Sequence, residues 1–143
     1  MTHASDKISV LIVEDEMMVA MHLAMMVRNL GHEVIGIAVD SKNAVLLAEK
    51  KPDLALVDCN LRDGHTGPQV ARHIADKAES HVVFITADPQ RVMEPANDHP
   101  AILGVAPKPV NDNDVAELLG FAHAIRRSMA SAKPPAILRS LRR

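Results

Sequence analysis

The sequence predicts an α/β fold, a five-stranded parallel sheet doubly wound by helices in the flavodoxin-like strand order 2-1-3-4-5. Three observations predict it. Short continuous apolar runs (Val10-Leu11-Ile12-Val13, Leu54-Ala55-Leu56-Val57, Val82-Val83-Phe84-Ile85) have the character of strands buried on both faces. Between these runs, apolar residues recur at spacings of three and four, as on one face of a helix. The two patterns alternate along the chain, which implies parallel pairing through right-handed crossovers.

Each element has its own signal. Residues 8–13 form the first strand, which ends in Glu14-Asp15-Glu16. From Met17 to Leu30 the pattern is helical, with Val19, Ala20, Leu23, Ala24, Val27 and Leu30 in phase and Gly31 as the stop. Met17, Met18, Met21, Met25 and Met26 spread around this helix and read as core filler, an adaptable docking surface being the alternative. Residues 33–39 make the second strand. Asp40 or Ser41 then caps a helix to about Lys50, with Ala44, Leu47 and Ala48 inward.

Lys51-Pro52-Asp53 introduces the third strand, which runs into Asp58. Gly67-Pro68 opens a helix over 68–78, because proline suits a first helical turn. Residues 81–86 are the fourth strand and end in the Thr86 hydroxyl. The prolines at 89, 95 and 100 leave room only for a short or broken helix over 88–100. Residues 102–106 form the fifth strand, followed by Pro107-Lys108-Pro109. Asn111 or Asp112 caps the last helix, which runs to about Ser128 with Val115, Leu118, Leu119, Ala122 and Ile125 inward. The expected organisation is one domain over 1–128 and a basic, flexible tail over 129–143.

Composition narrows the function. The chain has 143 residues, enough for one core, and its 1% aromatic content argues against base stacking on aromatic platforms. All 18 acidic residues lie in the first 120 positions, against 10 of the 16 basic ones. The other basic residues, Arg126, Arg127, Lys133, Arg139, Arg142 and Arg143, give a solvated tail too short for a helix-turn-helix domain, so no nucleic acid is expected. A single cysteine cannot form an intrachain disulfide, and no apolar run is long enough to span a membrane. A cytoplasmic location is the expectation, as a monomer or weak homodimer.

The chemistry converges on one edge. Strand ends carry Glu14 and Asp15, Asp58, Thr86 and Lys108, and parallel strands deliver all of them to the same rim. Crowded carboxylates repel unless a cation sits among them. Oxygen-only ligands favour a hard cation, Mg²⁺ before Ca²⁺. A nucleophilic carboxylate, a cation, a hydroxyl and an ammonium together suit phosphoryl transfer through an aspartyl-phosphate.

Those residues carry a resemblance. Val10-Leu11-Ile12-Val13-Glu14-Asp15-Glu16, Asp53-Leu54-Ala55-Leu56-Val57-Asp58, Thr86-Ala87 and Lys108-Pro109 resemble the receiver domain of bacterial two-component response regulators over residues 8–128. Leu30-Gly31-His32-Glu33-Val34-Ile35-Gly36 and the run from Asp53 to Leu61 are similar to stand-alone receivers that accompany alphaproteobacterial histidine kinases. The resemblance implies Asp58 as phosphoacceptor, with Mg²⁺ held by Glu14, Asp15, Asp58 and the Asn60 main-chain carbonyl. It implies that Thr86 hydrogen-bonds the phosphoryl group and that Lys108 ion-pairs with it. The implied partners are a histidine kinase or phosphotransfer protein and an unknown downstream protein. With no second domain, the expected role is a single-domain regulator signalling through protein contacts or acting as a phosphate sink or shuttle.

One departure bears on output. The family's switch aromatic, three residues before the lysine, is Val105 here, so the expected rearrangement is ordering of the 87–100 loop. The alternatives are a degenerate receiver that only binds, and an aspartate-nucleophile phosphatase. The phosphatase is disfavoured because its D-x-D pattern belongs on the first strand. His65, His73 and His123 read as surface residues, and Cys59 as a small packed one.

Overall fold

The computed structural model describes residues 7–128 and 132–141. Five strands, β1 (Ser9–Val13), β2 (Glu33–Ala38), β3 (Leu54–Val57), β4 (His81–Thr86) and β5 (Ile102–Pro107), form one parallel sheet ordered β2-β1-β3-β4-β5. Four α-helices connect and cover it: α1 (Met17–Asn29), α2 (Ser41–Ala48), α3 (Gly67–Lys77) and α4 (Asp112–Arg126). This is the expected flavodoxin-like topology.

The apolar runs form strands because both of their faces are buried. Alternate residues enter two separate cores. Leu11, Val13, Ala55, Val57, Val82, Phe84 and Val105 pack with the α2 and α3 side. Val10, Ile12, Leu54, Leu56, Val83, Ile85 and Ala106 pack with α1 and α4. The edge strand β2 is only half-buried until it reaches Ala38.

Helix starts follow the capping residues. Asp40 accepts from the Asn43 N–H at 2.9 Å to cap α2. For α4 the N-cap is Asn111. Its side chain accepts from the Asp114 N–H at 2.8 Å, and Asp114 accepts from the Asn111 N–H at 3.0 Å, a reciprocal capping box. Between β4 and β5 the prolines leave two short 3₁₀ turns, Pro89–Val92 and Pro95–Asn97, where a regular helix would otherwise form.

Two features differ from the sequence reading. Of the α1 methionines, only Met26 enters the core; Met17, Met18, Met21 and Met25 are exposed, because Ala20, Leu23, Ala24 and Val27 already fill the inward face. The expected flexible tail also differs in its described part. Within 132–141, Arg139 pairs antiparallel with Val105, and Leu138 and Leu141 are buried against the two cores. Residues 129–131, 142 and 143 lie outside the described residues.

Gly67 fixes the third helix against the end of β3. A Cβ there would lie 2.0 Å from the Asp58 carbonyl oxygen and 2.6 Å from the Cys59 Cα, so only glycine permits the approach. Its N–H donates to the Cys59 carbonyl at 2.9 Å, closing the loop beneath Asp58. Gly67→Ala must push this backbone apart, and we expect a loss of about 3 kcal/mol, at the upper end for overpacking. Urea denaturation at matched pH measures it, and an unchanged midpoint would show that the α3 start can move freely.

Candidate functional site

Main-chain hydrogen bonds extend the sheet ladder past the strand ends and so place each functional residue. The Glu14 N–H donates to the Ala38 carbonyl at 2.9 Å, and the Asp58 N–H donates to the Val13 carbonyl at 2.9 Å. The Lys108 N–H donates to the Thr86 carbonyl at 2.9 Å. Glu14, Asp58, Thr86 and Lys108 therefore leave neighbouring strands at one rim.

The side chains complete the site. Lys108 Nζ donates to Glu14 Oε1 at 2.5 Å and to Asp58 Oδ2 at 3.2 Å, bridging two acids from different strands. The other Asp58 oxygen, Oδ1, accepts from the Cys59 N–H at 2.7 Å. Carboxylate oxygens of Glu14, Asp15 and Asp58 all lie within 4.8 Å of one another. Three acids against one ammonium leave the cluster short of positive charge, and a small oxygen-seeking cation fits this donor set.

Glu14 carries the electrostatic strain. It is 1% exposed, and burial, with the adjacent Asp58 charge, pushes its carboxyl up to about 7 although the Lys108 hydrogen bond opposes the shift. For Lys108, burial works to lower the pKa, but the Glu14 hydrogen bond and the charges of Asp58 and Glu14 outweigh it. The ammonium is held above the ordinary lysine value and stays charged at neutral pH.

Thr86 is buried at the end of β4, and its Oγ1 accepts from the Asp88 N–H at 3.2 Å. The hydroxyl thus ties the first residues of the 87–100 loop to the rim. Asn60 is exposed in the loop after β3, and its Oδ1 lies 3.2 Å from His65 Nδ1. Cys59 is wholly buried, and burial pushes its thiol up to about 11, so it is a packed thiol and not a nucleophile. Val105 is wholly buried, opposite Phe84 on β4. His65 and His73 are exposed, but His123 is part-buried with its Nε2 lacking a hydrogen-bond partner.

Sequence reasoning did not single out Gly67 or the amide of Cys59 as parts of the site. Gly67-Pro68 signalled only a helix start, and a main-chain donor leaves no mark in the side-chain pattern. An apolar groove of about 260 Å³ also opens beside the site, between Met18, His22 and Met26 of α1 and Lys108, Pro109 and Val110.

The model for the response regulator receiver domain matches residues 10–119. The chain is 38% identical over 125 residues to the phyllosphere-induced regulator PhyR of Methylorubrum extorquens, covering 85% of this chain and 47% of that protein. A mutant form of the anti-anti-sigma factor PhyR from Bartonella quintana has a similar structure, with TM-score 0.73 and 35% identity over 85% of this chain and 50% of that one. The receiver domain of Erythrobacter litoralis PhyR gives a TM-score of 0.71 and 30% identity, covering 94% of this chain and 98% of that one. The chain spans about half the length of the curated relatives it matches.

The raised Glu14 pKa has a measurable sign. Between the ordinary 4.5 and about 7, folded Glu14 keeps a proton that the unfolded chain has lost. Its contribution therefore favours the folded state at low pH and fades as pH rises through 7. In metal-free buffer, Glu14→Gln should gain stability relative to wild type across that window, on the order of 2 kcal/mol, with a flat difference above it. Urea melts over a pH series test this, and a constant difference throughout would contradict it.

Proposed function

The chain belongs to the response regulator receiver domain family, and on that premise we propose that Asp58 accepts a phosphoryl group from a phosphohistidine donor, with Mg²⁺, and that the signal leaves through protein contacts. The observation that carries the reading is the Lys108 ammonium, held by Glu14 and Asp58 at once on the rim where Thr86 also ends.

Asp58 is set up as the nucleophile. Its Oδ1 is fixed by the Cys59 N–H, and Gly67 holds the loop beneath, so the carboxylate is oriented before a donor arrives. In the transfer, an Asp58 oxygen forms a bond to phosphorus as the phosphorus–nitrogen bond of the donor imidazole breaks. That bond pair stays on the ring nitrogen, which takes up a proton. Lys108 turns from Glu14 and Asp58 to the phosphoryl oxygens and compensates their charge, and the Thr86 hydroxyl donates to one of them.

Glu14, Asp15, Asp58 and the Asn60 main-chain carbonyl would hold Mg²⁺. When bound, it supplies further charge neutralisation at the phosphoryl oxygens. Their donor set supports this, as does the electrostatic strain on Glu14, which a cation relieves.

The groove along α1 supports docking of the donor beside the rim, because exposed Met18 and, deeper, Met26 line it with adaptable apolar side chains next to Lys108. The name anti-anti-sigma factor, borne by the Bartonella relative, supports output through another protein. With valine at 105, the readout passes through the 87–100 loop, tied to the Thr86 hydroxyl at Asp88.

Labelling by a phosphohistidine donor or by acetyl phosphate should be abolished in Asp58→Asn and by EDTA. Lys108→Ala should slow it by roughly 100-fold, the scale of losing one charge-stabilising donor. Label retained in Asp58→Asn would overturn the assignment. Amide NMR shifts over 87–100 should move when beryllofluoride, a phosphoryl mimic, is added with Mg²⁺. Unchanged shifts there would remove the loop from the output route.

A further inference from the structure

The open edge of β5 is covered by the chain's own residues 132–141. The Val105 N–H donates to the Arg139 carbonyl at 2.9 Å, and the Arg139 N–H donates to the Val105 carbonyl at 2.8 Å. This is a complete antiparallel hydrogen-bonded pair on a strand whose other side is bonded to β4. Leu138 packs into the core on the α1 and α4 side, and Leu141 into the core on the α2 and α3 side, so the segment straddles the sheet edge.

Gly104 is shaped to receive it. Its φ is +152°, and a Cβ there would lie 2.5 Å from the Arg139 carbonyl oxygen and 3.0 Å from Leu138. A side chain at 104 and the docked segment are mutually exclusive.

The attachment is narrow. It includes one antiparallel bridge, with Pro135, Leu138 and Leu141 as its buried side chains and Ile137 packed part-buried beside them. Each of its ten residues loses backbone freedom on docking, and few of them gain a buried contact in return. A contact balanced in this way responds to small displacements of β5.

The rim adjoins this contact. Lys108 directly follows the last residue of β5, three residues after Val105. Asp58 lies beyond β4, on the side opposite to residues 132–141. Lys108 already bonds Asp58 and Glu14, so a phosphoryl group on Asp58 that takes over the ammonium would change the load on the end of β5.

We infer that residues 132–141 are a releasable edge strand, docked on Gly104 and Val105 in the resting protein and let go when Asp58 is phosphorylated. This rests on Asp58 being the phosphoacceptor. Release exposes the main-chain N–H and C=O of Val105, and with them the β5 edge.

Amide hydrogen exchange at Val105 and Arg139 tests it, in full-length protein with Mg²⁺, with and without beryllofluoride, while ¹⁹F NMR reports the bound mimic. The expected result is at least tenfold faster exchange at both amides once the mimic is bound, and no change in Asp58→Asn. Bound mimic with unchanged exchange would overturn the release alone. A mimic that does not bind would overturn the phosphoacceptor reading as well.

Gly104→Val gives a second arm. It should expel the segment while ¹⁹F NMR still detects the mimic, so trypsin cuts after Arg139 equally fast with and without it. A chain ending at Ser128 is the control for a strained Gly104→Val: its other β5 amides should be as protected as in wild type. Persistent protection of Arg139 in Gly104→Val, or collapse of β5 protection in the shortened chain, would count against a releasable strand.

Discussion

Everything at this rim follows from placing three carboxylates in one small, poorly hydrated space with one ammonium among them. Burial pushes the Glu14 carboxyl towards its protonated form. Lys108 prevents the cluster from simply neutralising, because it bonds Glu14 and Asp58 together. The arrangement is electrostatically unfinished by design of the sheet: four strand ends contribute and only one contributes a cation. One ammonium therefore holds two acids from different strands, and the oxygen donors around it suit a hard cation.

Such a cluster needs a scaffold that does not yield. At the opposite rim, Asp53 accepts from the Ser9 N–H at 2.8 Å and pairs with Arg126 Nε at 3.1 Å. Arg126 also donates to the Asp53 carbonyl, at 3.1 Å, and so joins the last helix to the start of β3. These contacts are partly exposed and individually weak. Their value is positional: they fix the N-terminal ends of β1 and β3, while the C-terminal ends lead into the acidic cluster. Gly67 does the corresponding work near Asp58 by letting α3 touch the main chain there.

The fold was legible because burial on both faces leaves an unmistakable mark. Leu54-Ala55-Leu56-Val57 cannot be an exposed strand, and the prolines between β4 and β5 leave no room for a regular helix. The acidic and basic strand ends were legible for the same reason, since parallel topology sends them to one rim. What escaped was contact between distant segments. The α1 methionines are apolar by composition, yet the Val, Leu and Ala residues had already filled the inward face. His123 sits on a helix, where a surface position is the natural reading, but its ring tip is shielded from solvent. The 132–141 segment has two buried leucines among prolines and arginines, with no period of 2 or 3.6 to announce them.

Two of these three features, the α1 methionines and residues 132–141, lie on outer faces of the fold, and both follow from the same composition. With only 1% aromatic residues, the chain has few large rings with which to build a stiff switch or a rigid anchor. Its substitutes are softer. Methionines on α1 can repack against different neighbours. A short docked strand can associate and dissociate where a ring would rotate between two wells. The buried rim is held by Lys108, which bonds acids from two strands at once. The adjoining faces are built from contacts that are individually small.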